Sequence, residues 1–244
     1  MGRALAAACA DRADVCVVAG TERGDGLGAA LGFPLFADAA SAIAQADVWI
    51  DFTTPAATVA ALDALAGSRM KAAVVGTTGF SVAQEAAISQ AAQGCAIVKA
   101  GNFSLGVAVL CALAEQAARV LPAGYDIEIQ EAHHRAKVDA PSGTALMLGE
   151  AAAAGRGASL SALRLAPHDG IGGPRREGGI GFAVTRGGGV VGQHTVVLAG
   201  QREMLSLRHD AFDRSVFADG ALTAAAWAVS RPAGLYSLKD VLGL

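Results

Sequence analysis

A tandem histidine, a lysine and the start of a helix fall within one short stretch, Glu131-Ala132-His133-His134-Arg135-Ala136-Lys137-Val138-Asp139-Ala140-Pro141-Ser142-Gly143-Thr144. Imidazoles move protons near neutral pH, and an ammonium group stabilises negative charge as it develops. After Pro141, Ser142 can cap a helix running through Ala145-Leu146-Met147-Leu148, which leaves the backbone N–H groups of Gly143 and Thr144 pointing outward. Such a helix start takes a carboxylate readily. The set suits a small, negatively charged, reducible substrate. A His-His pair alone is more often a surface or hydrogen-bonded pair. Metal binding is the next rival, but adjacent histidines in regular structure face opposite ways, and no carboxylate or cysteine stands at a usual ligand spacing, so no metal is expected. Ser142 lacks the G-x-S-x-G elbow of a nucleophile and reads as a cap.

The segment ahead of this cluster, Tyr125-Asp126-Ile127-Glu128-Ile129-Gln130, alternates apolar and polar residues like a half-buried strand, so the histidines sit where it runs out. Neighbouring strand side chains point to opposite faces. His133 and His134 can therefore share one pocket only if the backbone bends, and a bend is expected at His133. His168, His194 and His209 have no comparable neighbours and read as structural or surface residues.

The 244 residues suffice for one large domain or two modest ones, and the apolar content supports buried cores. Cys9, Cys16, Cys95 and Cys111 form no C-x-x-C pair and lie in apolar runs, which reads as reduced core thiols in a cytosolic protein. The net charge of −3 and the scattered basic residues argue against nucleic acid as a partner. Arg3 and the Ala-rich run to Ala10 resemble a signal peptide, but Asp11, Arg12 and Asp14 follow at once, and a helix is the better reading. No apolar run approaches the length of a bilayer span, so no membrane is expected.

Two patterns divide the chain. Up to Phe103, continuous apolar runs alternate with helical stretches: Val15-Cys16-Val17-Val18-Ala19, Val48-Trp49-Ile50-Asp51-Phe52, Ala72-Ala73-Val74-Val75-Gly76 and Ala96-Ile97-Val98-Lys99. That is an α/β pattern, a parallel sheet covered on both faces. Beyond Tyr125, strands at 126–130, 181–186, 193–199 and 204–208 are joined by glycine-rich turns, with Gly187-Gly188-Gly189 as a hairpin signal. This predicts an α+β domain with an open mixed sheet and helices at 105–120 and 143–154 on one face. The boundaries fall at 1–104, with 214–244 returning to it, and 105–213.

Five further motifs stand in order along the chain: Asp51-Phe52-Thr53-Thr54-Pro55, Gly76-Thr77-Thr78-Gly79-Phe80, Gly101-Asn102-Phe103-Ser104, Gly179-Ile180-Gly181-Phe182 and Lys239-Asp240-Val241-Leu242. Together with the histidine cluster they resemble the dihydrodipicolinate reductase family, now called 4-hydroxy-tetrahydrodipicolinate reductase, of the diaminopimelate–lysine pathway. The resemblance implies a Rossmann-type nucleotide domain and a substrate domain. It further implies reduction of 4-hydroxy-tetrahydrodipicolinate to tetrahydrodipicolinate with NADH or NADPH, in the cytoplasm. It also implies a homotetramer joined through the substrate domains; since helices cover only one side of that sheet, such a tetramer is expected to bury its outer face. By the same resemblance His133 donates or accepts the proton and Lys137 stabilises developing charge. His134, with Ser142, Gly143 and Thr144 at the helix start, holds a substrate carboxylate.

On the cofactor side the family's glycine turn reads roughly Gly-x-x-Gly-Arg-Met-Gly, of which Met1-Gly2 match only the end. The natural chain is therefore expected to begin about one strand upstream. Glu22 stands where an acid would bond the ribose hydroxyls, and Arg23 beside it could hold a 2′-phosphate. Adjacent Glu and Arg on a surface loop are more often only solvated. Gly76, Thr77 and Thr78 are expected beside the nicotinamide ribose, and Ala100, Gly101, Asn102 and Phe103 at the nicotinamide end near the domain hinge. Arg214 and Phe217 could reach the cofactor from the returning tail. The rival functions are a related two-domain dehydrogenase of another small substrate, and a non-catalytic nucleotide-sensing or assembly protein.

Overall fold

The computed structural model describes residues 1–22 and 32–244. It divides into two compact units, Met1–Leu105 with Ser215–Leu244, and Gly106–Arg214.

The first unit begins with α1 (Gly2–Ala10). Residues 15–19 follow without regular structure and join no ladder, so the strand expected there is not formed. A continuous apolar run has the composition of a buried strand, but a strand also needs a hydrogen-bonding neighbour, and this run has none among the described residues. Cys16 in this run is exposed, against the expectation of a core thiol, while Cys9, Cys95 and Cys111 are buried, as expected. The ladder begins only at β1 (Gly20–Thr21), parallel to β2 (Leu35–Phe36). Helix α2 (Ala39–Ile43) is capped by Asp38, whose carboxylate accepts the Ser41 N–H at 2.8 Å.

Strand β3 (Val48–Asp51) is followed by α3 (Pro55–Leu65), which has proline in its first turn, where the missing N–H costs nothing. Then come β4 (Ala72–Val75), α4 (Val82–Ala91) with a Ser81/Gln84 capping box, and β5 (Ala96–Lys99). Every residue of β4 is buried, as expected of a central parallel strand covered on both faces. Ala73, Val75 and Ile97 on one face meet Ile43, Leu62, Leu65 and Ile88 of the helices.

Helix α5 (Leu105–Val120) carries the chain into the second unit. There follow β6 (Asp126–His133), α6 (Gly143–Gly155), α7 (Leu160–Leu163), β7 (Ile180–Arg186), β8 (Gly192–Ala199) and β9 (Met204–Ala211). The sheet order is β7-β6-β8-β9, with β7 parallel to β6 and the other pairs antiparallel. Ile127, Ile129, Ile180, Val196 and Leu198 form the inner face, and α5 and α6 cover it with Leu110, Ala114, Ala145, Leu148 and Ala152. The two helices pack closely where a side chain at Gly155 would stand 2.2 Å from the Glu115 carbonyl oxygen.

The triple glycine is not a hairpin. Strand β6 lies between β7 and β8, so the link from Gly187 passes over the end of β6 instead of joining neighbours. Its backbone is tied there: Gly187 N–H donates to the His133 carbonyl at 3.0 Å, and Arg135 N–H to that of Gly188 at 3.2 Å.

The tail rejoins the first unit. Helix α8 (Ser215–Ala228) packs on β3, β4 and β5, and β10 (Gly234–Tyr236) extends the parallel sheet to the order β10-β5-β4-β3. The contact requires a glycine, because a side chain at Gly220 would stand 1.7 Å from the Phe103 carbonyl oxygen. Helix α9 (Leu238–Leu242) closes the chain with a Ser237/Asp240 capping box.

Candidate active site

Alternation along β6 places Ile127, Ile129, Glu131 and His133 on the face covered by helices. The first two are core; the last two bring ionisable groups into the same buried row. The strand ends at His133 and residues 135–136 turn, so the chain leaves the ladder directly after His133. Lys137 N–H closes the turn onto the His134 carbonyl at 3.1 Å. Ser142 then begins α6, its hydroxyl accepting the Ala145 N–H at 3.2 Å. Gly143, the first residue of α6, is exposed, and Thr144 is half-buried.

Glu131 is the centre of this arrangement, with no exposed side-chain surface. Its Oε2 lies 2.6 Å from His133 Nδ1. Arg186, brought opposite His133 by the β6–β7 register, donates to both oxygens at 2.7 and 2.8 Å, and Ser142 N–H donates to Oε1 at 3.0 Å. His194, opposite Glu131 on β8, sets its ring edge-on to His133 at 5.1 Å between centroids. Its Nε2 lies 3.1 Å from the Ser142 hydroxyl.

The electrostatics follow from these contacts. Burial pushes the Glu131 carboxyl up, but hydrogen bonds from Arg186, His133 and Ser142 outweigh it and bring the pKa down to about 2. Burial lowers the His133 imidazole against the opposing pull of Glu131, with Lys137 and Arg186 lowering it further. Burial, then the charge of His133, brings His194 down to about 4. At neutral pH the site therefore holds an anionic Glu131 and two neutral rings, with His133 Nδ1 the ring nitrogen that faces the carboxylate.

Lys137 pairs with Asp139 at 2.7 Å, which holds the Asp139 carboxyl below its usual range. His134 Nε2 is 3.4 Å from an Arg214 guanidinium nitrogen. Arg214, suggested by the sequence as able to reach the cofactor, thus meets His134 within the second unit. Phe217 is half-buried in α8. Among the described residues no group of three or more His, Cys, Asp or Glu is placed to hold a metal ion.

In the first unit, the ends of β3, β4 and β5 bring Thr53, Thr77-Thr78 and Ala100-Gly101 to one sheet edge. Gly76 passes so close to Phe52 that a Cβ there would stand 2.1 Å from the ring. The Thr77 side chain is turned inward, bonding the Thr58 hydroxyl at 2.9 Å and the Thr53 N–H at 3.0 Å, so only its backbone faces outward. Phe103 is likewise a core residue, its ring 5.5 Å from that of Phe52. Thr78 and Gly101 are exposed, and Ala100 and Asn102 half-buried. Glu22 is exposed beyond β1, its N–H donating to the Phe36 carbonyl at 3.1 Å, and Arg23 lies outside the described residues.

Sequence reasoning gave no role to Glu131, Arg186 or His194. Glu131 carried a local signal, its position two residues before His133 on the same strand face. The other two join through register with strands that come more than fifty residues later.

Comparison with known proteins identifies the family. Residues 1–103 match the family model described as dihydrodipicolinate reductase, N-terminus, and residues 106–242 the one described as dihydrodipicolinate reductase, C-terminus. The chain is 50% identical over 248 residues to the 4-hydroxy-tetrahydrodipicolinate reductase of Caulobacter vibrioides, covering 100% of this chain and 93% of that protein. It is 54% identical over 217 residues to the enzyme of that name from Dinoroseobacter shibae, covering 89% and 80%. Among solved structures, the dipicolinate-bound dihydrodipicolinate reductase of Paenisporosarcina sp. TG-14 superposes with a TM-score of 0.79 at 26% identity, covering 98% of this chain and 94% of that one. The chain belongs to the dihydrodipicolinate reductase family and is an oxidoreductase.

Proposed function

We propose that the chain reduces 4-hydroxy-tetrahydrodipicolinate to tetrahydrodipicolinate with NADH or NADPH, releasing water. The carrying observation is that His133, anchored on Glu131, lies close to Lys137 and to the start of α6 in one compact unit. The dipicolinate bound to the Paenisporosarcina relative supports a small ring dicarboxylate as the ligand class.

The second unit holds the substrate. Gly143 and Thr144 N–H groups at the N-terminus of α6, with the Ser142 cap behind them and His134 beside them, take one carboxylate. The Lys137 ammonium draws negative charge towards itself as hydride arrives, and His133 delivers a proton to the reduced ring system. The first unit holds the nucleotide at the carboxyl ends of β3, β4 and β5, where parallel sheets bind such ligands. The residues fit this role. Thr78 and Gly101 are exposed there and Gly79 has a positive φ of 83°, so backbone can approach a ligand closely, with Gly76, Thr77, Ala100, Asn102 and Phe103 shaping the edge. Glu22 and Arg23 are assigned to the ribose and its 2′-substituent. When bound, the nicotinamide supplies the hydride.

Among the described residues no helix is long and apolar enough to cross a membrane. A homotetramer in the cytoplasm completes the proposal. Its test is oxidation of NADH and NADPH in the presence of freshly formed dihydrodipicolinate synthase product. Turnover with either cofactor supports the reading, and no turnover with both refutes it.

A further inference from the structure

We infer that Glu131 is the positioning residue for proton transfer at His133, fixing the imidazole with its proton on Nδ1 and tying that ring to the start of α6. The inference rests on the reaction proposed above and extends it to a residue that would not touch the substrate.

The geometry leaves Glu131 little freedom. Its two oxygens are engaged by His133 Nδ1, both terminal nitrogens of Arg186 and the Ser142 N–H. A carboxylate held on four sides cannot rotate away, so the ring it grips is held too. The occupied nitrogen is Nδ1, which leaves Nε2 as the atom able to exchange a proton with a ligand. Gly192 on β8 keeps space beside it, since a Cβ at that position would stand 3.2 Å from Nε2.

The charges around the ring support a carboxylate that stays ionised. Arg186 from β7 neutralises it, Lys137 and Asp139 from the loop pair with each other, and neutral His194 from β8 meets the ring edge-on, with His209 of β9 beyond it. In the transfer step the protonated ring gives its Nε2 proton to the substrate, keeps its Nδ1 proton hydrogen-bonded to the Glu131 carboxylate, and is reprotonated at Nε2 by a solvent proton. Glu131 is ionised before and after. It favours the imidazolium that precedes transfer without taking the proton itself. Through Ser142 N–H the same carboxylate also sets the start of the helix that would hold the substrate, so the proton and the carboxylate site share one anchor.

Two measurements test this. The first is a long-range ¹H–¹⁵N spectrum of the ring-labelled, unliganded protein at neutral pH, with the His133 signals identified by their loss in His133→Gln. Protonation at Nδ1 is expected, and a ring protonated at Nε2 overturns the inference whether or not Glu131 variants fold. The second is the pH profile of kcat in Glu131→Gln and Glu131→Asp. Removing the charge lowers the proton affinity of His133, so in Glu131→Gln kcat should fall about 10²–10⁴-fold and the basic limb should move about a unit or more to lower pH. Glu131→Asp keeps the charge and should hold the limb near its original position. An unmoved limb in Glu131→Gln, or a kcat within a few-fold of the parent, overturns the positioning role. Failure of the parent protein to turn over refutes the proposed reaction instead, and the tautomer measurement still reads the Glu131–His133 tie.

Discussion

The Ser142 hydroxyl lies 3.1 Å from Nε2 of His194, a residue 52 positions away, while also accepting the Ala145 N–H at the start of α6. One buried hydroxyl therefore joins the helix cap to β8. Ser142→Ala removes both contacts, and the combined loss of a cap and of a buried partner should cost about 1–3 kcal/mol. Urea unfolding should show a lower midpoint at unchanged slope. An unaltered midpoint would remove Ser142 from the stability of the site.

Acid should destabilise the protein in two stages. Unfolded His194 takes up a proton below its ordinary value of 6.5, whereas the folded residue resists until about 4. Between those values the unfolded state binds more protons, so stability rises with pH and is lost as pH falls. His133 and His209, also lowered by burial, add in the same direction. Glu131 acts below its ordinary 4.5, its contribution being lost as pH falls towards about 2. Each such group contributes a slope of at most about 1.4 kcal/mol per pH unit. Calorimetric Tm should fall from neutral pH towards 4, more shallowly in His194→Asn. Equal slopes in the two proteins would show that His194 is not buried in its neutral form.

Much of this site was legible because its signals are local. Tyr125 to Gln130 alternates as β6 does, Ser142 stands where a cap must stand, and the strand ends at His133, where a bend was expected. Arg186 and His194 were not legible, because only strand register brings them to Glu131. The same ignorance of register made Gly187-Gly188-Gly189 read as a hairpin, since turn chemistry does not reveal that β6 lies between the strands it joins. Residues 15–19 failed in the opposite way, with a strand's pattern but no ladder neighbour.

His133→Gln tests the proton step directly. Losing a general acid should lower kcat by roughly 10²–10⁴-fold while KM changes little. Steady-state kinetics at several pH values would decide it. A kcat equal to that of the parent would place proton delivery on another group.

Gly76→Ala tests the nucleotide edge. The added Cβ would stand 2.1 Å from the Phe52 ring, which itself packs on buried Phe103, so the ring must move and disturb the core beneath it. A loss of about 1–3 kcal/mol is expected for such overpacking. Nucleotide affinity, measured by fluorescence titration, should weaken, while dipicolinate affinity should not. Unchanged nucleotide affinity would move the cofactor away from this turn.

The central claim is that hydride passes from the nicotinamide to the ring dicarboxylate. A single turnover with NADH deuterated at the transferable position of C4, followed by mass spectrometry of the product, measures this directly. The account predicts deuterium in tetrahydrodipicolinate; product without deuterium, or cofactor oxidised without product, would contradict it.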